Sequence, residues 1–505
     1  MNLSRLKGFV AEGEPLRWPH RIWLGTIFII GVLYCYAFPP FQTNDEDAHW
    51  KHLWGVAYGG LRCNAPKPQA IVDFLNVVEQ RAVRENPGAW RIQFQHEALH
   101  FVGSKEATTN DGTACRYPPH PYLVPGLVAR LVAFGVSGRL GPGSVLRAAY
   151  AARITNWILV TLAVLLLCRR LPWMRNFTLA FYSIPEMIQQ SMAVNTDSFL
   201  FVAAAFLLLL VFGRRMSTWN LIGIAVVVAL MAMVKPVYAA FSAFGLIAGE
   251  RLLAQHRWRV RDLAALAAAV ALPIFAQWAW IRWVNVAPPS AGPPPPDRGR
   301  AWATQQMQFL AAHKGMVWTL LRHQWRDLFG SDLMKGSWLS IFGAFGWSMF
   351  TMARAGHYVL VVGLALSIVD DVITGVPSPG LERPRWRMKV ALGVVSLALV
   401  AMCIAIIIGM YIYFSGAFLG RIGADEVIGV QGRYYLLPIF FWIVFLIHVA
   451  RRREPLMRWW AGLPDVLTVA SLFLCAWSNV YALREILYRF NSVYLRVPIP
   501  APPHY

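Results

Sequence analysis

Apolar runs long enough to cross a bilayer recur from residue 22 to residue 487, with short polar segments between them. The first is 22–38, and the next, 148–168, follows a long polar interval. Residues 176–194 form a short run broken by Pro185, and 198–213 follow the Asn195-Thr196-Asp197 turn. The stretch 219–249 is about 31 residues, long for one crossing. Lys235-Pro236 interrupts it, so it divides into two short spans. Further runs cover 262–284, 353–369, 390–414, 434–450 and 464–487. Backbone groups in hydrocarbon must be paired within the segment, and no alternating strand pattern is present, so these runs are expected to be helices. The expected fold class is an all-α polytopic membrane protein, a helical bundle of about eleven transmembrane helices with a large first external loop.

The polar segments set the orientation. Residues 1–21 carry Arg5, Lys7, Arg17 and Arg21 and read as a cytoplasmic N-terminus. Runs that end in Arg169-Arg170, Arg214-Arg215 and Arg451-Arg452-Arg453, and the basic segments 250–261 and 371–389, then fall on the same side. The external loops are 39–147, 285–350 and 415–432. The membrane domain runs over 22–450, a cytoplasmic loop and last span over 451–487, and a Pro-rich external tail over 488–505. Within the loops, 68–85 and 301–330 show amphipathic helical patterns, and 123–135 is apolar but too short to cross. A proline run at 287–296 reads as an extended spacer. No internal repeat is visible, which weakens an inverted-repeat transporter.

Composition agrees with this pattern: 57% of the 505 residues are hydrophobic and 14% charged, too apolar for an ordinary soluble domain. The net charge of +21 does not point to nucleic acid, because the basic residues cluster in the short segments between spans. Cys35, Cys168, Cys403 and Cys475 lie in or at the ends of apolar runs. Cys63 and Cys115 share the first external loop and can pair if it faces an oxidising compartment.

Candidate chemistry gathers at the end of the first span, where Asp45, Glu46, Asp47 and His49 fall within five residues. One carboxylate there can act as general base on an acceptor hydroxyl, and a neighbouring carboxylate raises its pKa toward that task. A solvated acidic cap is the plain alternative. The sequence Tyr117-Pro118-Pro119-His120-Pro121-Tyr122 cannot continue a helix and fixes Tyr117, His120 and Tyr122 in extended geometry. Lys235 lies in an apolar stretch, costly unless it pairs or reaches water. Gln431-Gly432-Arg433-Tyr434 opens the tenth span; a cation at a helix start opposes the helix dipole, and a bound phosphate would relieve that cost. The plain alternatives are snorkelling of Lys235 to the external interface and lipid-headgroup anchoring by Arg433 beside its tyrosines. Asn195 and Asp197 neighbour Glu186, although Asp197 can merely cap the following span. Arg153 and Asn156, three residues apart, share a helix face and can line one cavity. Gly343 and Gly346-Trp347 suggest an aromatic turn. Clustered carboxylates bind divalent cations, but adjacent residues rarely all converge. No metal site is assigned, and a divalent cation stays open as a cofactor.

Taken in order, Asp45-Glu46 with His49, Tyr117-Pro118-Pro119 with Tyr122, Asn195-Thr196-Asp197, Lys235-Pro236 with Tyr238, Gly343 with Gly346-Trp347, and Gln431-Gly432-Arg433-Tyr434 resemble a bacterial membrane family, the domain of unknown function 2142. The resemblance covers residues 22 to 450. That family looks like a member of the GT-C glycosyltransferases, polytopic enzymes with an acidic motif in the first external loop. The resemblance implies a GT-C-like bundle in the bacterial inner membrane, with its active site on the external face and Asp45 and Glu46 at the acidic-motif position. The implied partners are a polyprenyl-phosphate sugar donor, a glycan, lipid or protein acceptor, and membrane lipids. Which of Asp45 and Glu46 is the base stays open. Assigning Lys235 and Arg433 to phosphate is a physical inference, as is the shaping of the sugar site by His49, Tyr117, His120 and Tyr122. A lipid-linked sugar transporter or flippase, or a non-catalytic partner in polysaccharide assembly, are the rival readings.

Overall fold

The computed structural model describes all residues except 1–13, 44, 62–64, 80–97, 102–105, 110–112, 136–139, 214–215, 256–258, 285–297, 330–343, 346–349, 353, 375–385, 416–418, 426, 428–432, 451–462 and 492–505. Its helices, in chain order, are α1 (Trp18–Ala37), α2 (Glu46–Ala57), α3 (Gln69–Glu79), α4 (Leu123–Phe134), α5 (Ser144–Arg170), α6 (Arg175–Phe181), α7 (Pro185–Met192), α8 (Asp197–Phe212) and α9 (Thr218–Val234). There follow α10 (Phe244–Gln255), α11 (Val260–Val284), α12 (Arg298–Ala312), α13 (Gly315–Phe329), α14 (Arg354–Thr374), α15 (Trp386–Met410), α16 (Arg433–Ala450) and α17 (Leu463–Asn491). Two short antiparallel ladders pair β1 (Lys67–Pro68) with β2 (Ala107–Thr108), and β3 (Ala344–Phe345) with β4 (Phe350–Thr351). The all-α polytopic expectation holds.

Among the described residues, eight helices are long and apolar enough to cross a membrane, or nine if the bent pair α7–α8 counts as one span. The expected number was about eleven, and the difference lies in the short runs. Residues 176–194 divide into α6 and α7, because Pro185 starts a new helix rather than extending the old one. The stretch 219–249 does break at Lys235-Pro236, but α9 is only 17 residues and falls short of a full crossing. A 3-10 segment, Pro236–Ala243, leads from the break into α10. The amphipathic stretches of the loops fold as α3, α12 and α13, and the apolar run 123–135 as α4. The proline run 287–296 and the Cys63–Cys115 pairing lie outside the described residues and side chains.

The chain forms two compact units, 1–209 with 343–380 and 450–505, and 210–342 with 381–449. In the first, α1 packs on α5 and α17, α14 on α17, and α4 on both α2 and α5. Gly31 lets α1 approach α5, since a methyl group there would lie 2.0 Å from the buried Trp157 ring. A second core under the acidic segment joins Phe41, Trp50, Trp54, Phe74 and Tyr122. In the second unit, α9 packs on α11, and α15 on α10 and on α13.

Two aspartates on α14 close the first unit at its other end. Both oxygens of Asp371 accept from the first turn of α6, from the backbone N–H of Asn176 at 3.1 Å and of Phe177 at 2.8 Å. Asp370 accepts from Asn176 Nδ2 and from Thr468 of α17, while Asn176 Oδ1 meets His20 Nε2 of α1 at 2.8 Å. Four helices are thus tied through one polar knot, neither of whose aspartates the sequence singled out.

Candidate functional site

The site begins where α1 ends. Pro39 and Pro40 stop the helix, and the chain turns back through two left-handed residues, Phe41 at φ 65° and Asp45 at φ 61°. Asparagine and aspartate tolerate this region better than most residues, and phenylalanine does not. Such strain persists only where the surroundings impose it. Here the imposing element is Glu46, the first residue of α2, whose side chain is 1% exposed.

Every acceptor position of Glu46 is filled. Oε1 accepts from Arg153 Nε at 2.7 Å and from the Val194 N–H at 3.0 Å; Oε2 accepts from Arg153 Nη2 and from the Phe41 N–H at 2.9 Å. Burial alone would raise this carboxyl, but the Arg153 guanidinium and its hydrogen bonds outweigh burial and hold it below the usual glutamate range. Arg153 is equally committed. Its remaining donors reach Cys35 O at 3.1 Å, Phe38 O at 2.7 Å and Pro39 O at 2.9 Å, the open carbonyls at the end of α1. A guanidinium has five N–H groups, and all are used.

This corrects two expectations. Glu46 is not available as a base, because its lone pairs are occupied and its pKa is lowered rather than raised. Arg153 and Asn156 do not line a cavity for substrate: Arg153 is saturated, and Asn156 Nδ2 donates to Ala193 O at 2.8 Å. Asn156 holds the 193–197 turn directly, and Arg153 does so through Glu46, which accepts from the Val194 N–H. The other carboxylates of the segment are Asp45, half-buried at the start of α2, and Asp47, also half-buried, one residue beyond Glu46. Asp47 belonged to the cluster in the sequence but was not singled out.

Of the other expected residues, the structure brings His49, Tyr117 and Tyr122 together. His49 Nδ1 bonds Tyr122 Oη, and the His49 and Tyr117 rings lie 4.9 Å apart. His52, one turn further along α2, donates from Nε2 to Tyr117 O at 2.9 Å, a contact the sequence did not signal. Burial pushes the Tyr122 phenol well above its ordinary value, with Tyr117 and Asp197 adding to the effect. His120 packs edge-on against Phe199 of α8 at 4.7 Å.

A polar chain runs behind this cluster. Gln190 Nε2 donates to Glu186 Oε1, Asn195 Nδ2 to Gln190 Oε1, and the Asp197 N–H to Asn195 Oδ1, each at 2.9 Å. Asn195 Oδ1 thus takes the first N–H of α8, and Asp197 is the first residue of the helix rather than the residue before it. The turn between α7 and α8 bends by 108°.

In the second unit, Lys235 and Arg433 flank one ring. Lys235 Nζ lies 5.0 Å and the Arg433 guanidinium carbon 5.4 Å from the centre of Tyr434. Two cations on one aromatic ring at the start of α16 form a locally positive patch. Gln431 lies outside the described residues, as do Gly343 and Gly346-Trp347, although Ala344–Phe345 form strand β3. Among the described residues, no group of three or more His, Cys, Asp or Glu side chains is arranged to hold a metal ion.

A family model described as "Predicted membrane protein (DUF2142)" matches residues 28–443. No curated protein and no solved structure matches the chain.

Proposed function

For a chain that belongs to the DUF2142 family of predicted membrane proteins, we propose an integral-membrane glycosyltransferase that moves a sugar from a polyprenyl-phosphate donor to an envelope glycan, lipid or protein. The proposed location is the external face of the bacterial inner membrane. The observation that carries this reading is Asp45, a half-buried carboxylate held at φ 61° where α1 ends, beside a Glu46–Arg153 pair that has no hydrogen-bonding capacity left over.

In this reading the acceptor hydroxyl oxygen attacks the anomeric carbon, and the bond from that carbon to the phosphate oxygen breaks with its electrons going to the phosphate. Asp45 takes the hydroxyl proton. A phosphate leaves readily without a protonating acid, so a single carboxylate suffices, whereas a glycosidase usually needs two. Direct displacement inverts the anomeric centre. His49, Tyr117 and Tyr122, already gathered on the α2 side, shape the sugar site. As a separate proposal on the second unit alone, Lys235 and Arg433 recognise a lipid phosphate.

Purified protein, a short-chain polyprenyl-phosphate sugar and an acceptor extract in detergent test this reading. An enzyme forms product without a sealed membrane. K235Q and R433Q are expected to raise KM for the lipid donor with little change in KM for acceptor. Movement of the lipid-linked sugar only in sealed vesicles, with no product in detergent, would reject the transferase in favour of a transporter.

A further inference from the structure

The second unit has a partly open cavity of about 690 Å³ between α13, α15 and α16. Its walls are one face of each helix: Trp318 and Trp325 from α13, Ile404 and Ile407 from α15, and Tyr435 from α16. Arg322 of α13 stands between the two tryptophans. The lining is almost wholly apolar, so water would find too few polar partners to fill it well. Tyr435 is buried, and its hydroxyl has no hydrogen-bond partner among the described residues. The cavity therefore suits a mostly hydrocarbon occupant that brings an acceptor oxygen to one point.

Its depth and its opening identify the occupant further. Tyr435 sits in the first turn of α16, and Ile407 one turn before the end of α15 at Met410. The α15 wall runs from Val400 to Ile407, roughly 10 Å of helix and less than half a bilayer core, so the cavity fits within a single leaflet. Trp318 and Trp325 are 72% and 64% exposed, seven residues apart on α13, and Lys314 and Arg322 are exposed on the same helix or at its start. Tryptophans interleaved with cations at helix ends mark the headgroup level of a membrane.

We propose that this cavity is a binding site for one anionic glycerophospholipid of the leaflet that α13 faces. One acyl chain fills the space between α13, α15 and α16. The phosphate lies against Arg322, and an ester oxygen accepts from Tyr435. The assignment stands on the second unit alone and does not require the transferase reading. The lipid would act as a fixed part of the unit, seating the amphipathic α13 on the two spans.

The test uses the full chain in nanodiscs of phosphatidylcholine with a trace of phosphatidylglycerol bearing a diazirine in its acyl chain. After irradiation, labelled peptides are mapped. The expected result is labelling at Ile404 and Ile407 well above that at Leu397, an α15 residue 70% exposed on the outside of the bundle. Unlabelled phosphatidylglycerol should compete about fivefold better than phosphatidylcholine, the effect of one cation meeting an anionic headgroup. R322Q, a change at an exposed position, should abolish that preference and leave chain labelling in place. I404W should remove labelling at Ile407 by filling the cavity, with a thermal melt confirming that the protein is folded. Equal labelling at Leu397 and Ile404, or no preference between the two phospholipids, would overturn the proposal. So would displacement of the probe by a polyprenyl phosphate but not by phosphatidylglycerol, which would give the cavity to a prenyl chain.

Discussion

Arg153 Nε donates to Glu46 Oε1 at 2.7 Å across 107 residues of sequence, and both side chains are 1% exposed. The pair joins the end of α1, the start of α2, the middle of α5 and the turn before α8. Ion pairs so deeply buried gain little over a well-packed apolar replacement, but losing one partner leaves an uncompensated charge. Its role is therefore geometric: it fixes where the chain reverses and so where Asp45 is held.

Removing one partner should be costly. E46A or R153A is expected to lower stability by about 3–5 kcal/mol, read as a fall in unfolding temperature in detergent. The double variant E46L/R153M should recover part of that loss, because no lone charge remains. Equal melts for wild type and E46A would show that the pair does not hold this corner.

The pH dependence has a definite sign. Burial raises the Glu46 carboxyl, but Arg153 overcomes this and holds it below the ordinary value. A carboxyl lowered by folding contributes stability that is fully present above its unfolded pKa, about 4.3, and is lost as pH falls through the lower folded value. The gap in unfolding temperature between wild type and E46Q should therefore stay constant from neutral pH down to about 5 and narrow only below about 4.3. A gap that closes near neutrality would contradict the lowered pKa.

Helix contact through Gly31 is steric. A methyl group there meets the Trp157 ring at 2.0 Å, and Trp157 is itself tied by its indole N–H to Phe28 O at 3.0 Å. G31A should cost about 1–3 kcal/mol by overpacking. G31A/W157F, which trims the ring, should be less destabilised than the sum of the single changes. Strict additivity would mean that the two positions do not touch.

The Asp371 cap can be separated from the nearby Asp370. D371N keeps the shape but weakens acceptance from the two α6 N–H groups, and should cost about 1–2 kcal/mol. Hydrogen exchange in residues 175–181 should rise with it. Unchanged exchange there would show that α6 does not depend on this cap.

What the sequence disclosed follows from the range of the forces involved. Spans and loop helices were legible because apolar periodicity is local: α1, α5, α11, α15, α16 and α17 fall where the runs lie, and α3, α12 and α13 where the amphipathic patterns lie. The acidic segment was legible because three carboxylates after a span are unusual. The division of labour within it was not. Glu46 and Asp45 are neighbours of the same chemical type, and only the arrival of Arg153 from α5 separates scaffold from candidate base. Arg153 and Asn156 were correctly placed on one face, but apart from Glu46 their partners are backbone carbonyls, which carry no sequence signal. The gathering of His49 with Tyr122, 73 residues away, was hinted at only by the proline-fixed segment. Asp370 and Asp371 were not singled out, because their partners on α6 and α17 are distant in the chain.

Sugar transfer from a polyprenyl-phosphate donor by D45N, E46Q and D47N, each at matched folded fraction, bears most directly on the proposed division of roles. D45N is expected to lower turnover by at least about a hundredfold, the typical contribution of a general base, with an unfolding temperature near that of wild type. E46Q is expected to lose stability first and activity only in proportion to its folded fraction. Wild-type turnover in folded D45N, or loss of turnover in E46Q with its stability intact, would contradict the account.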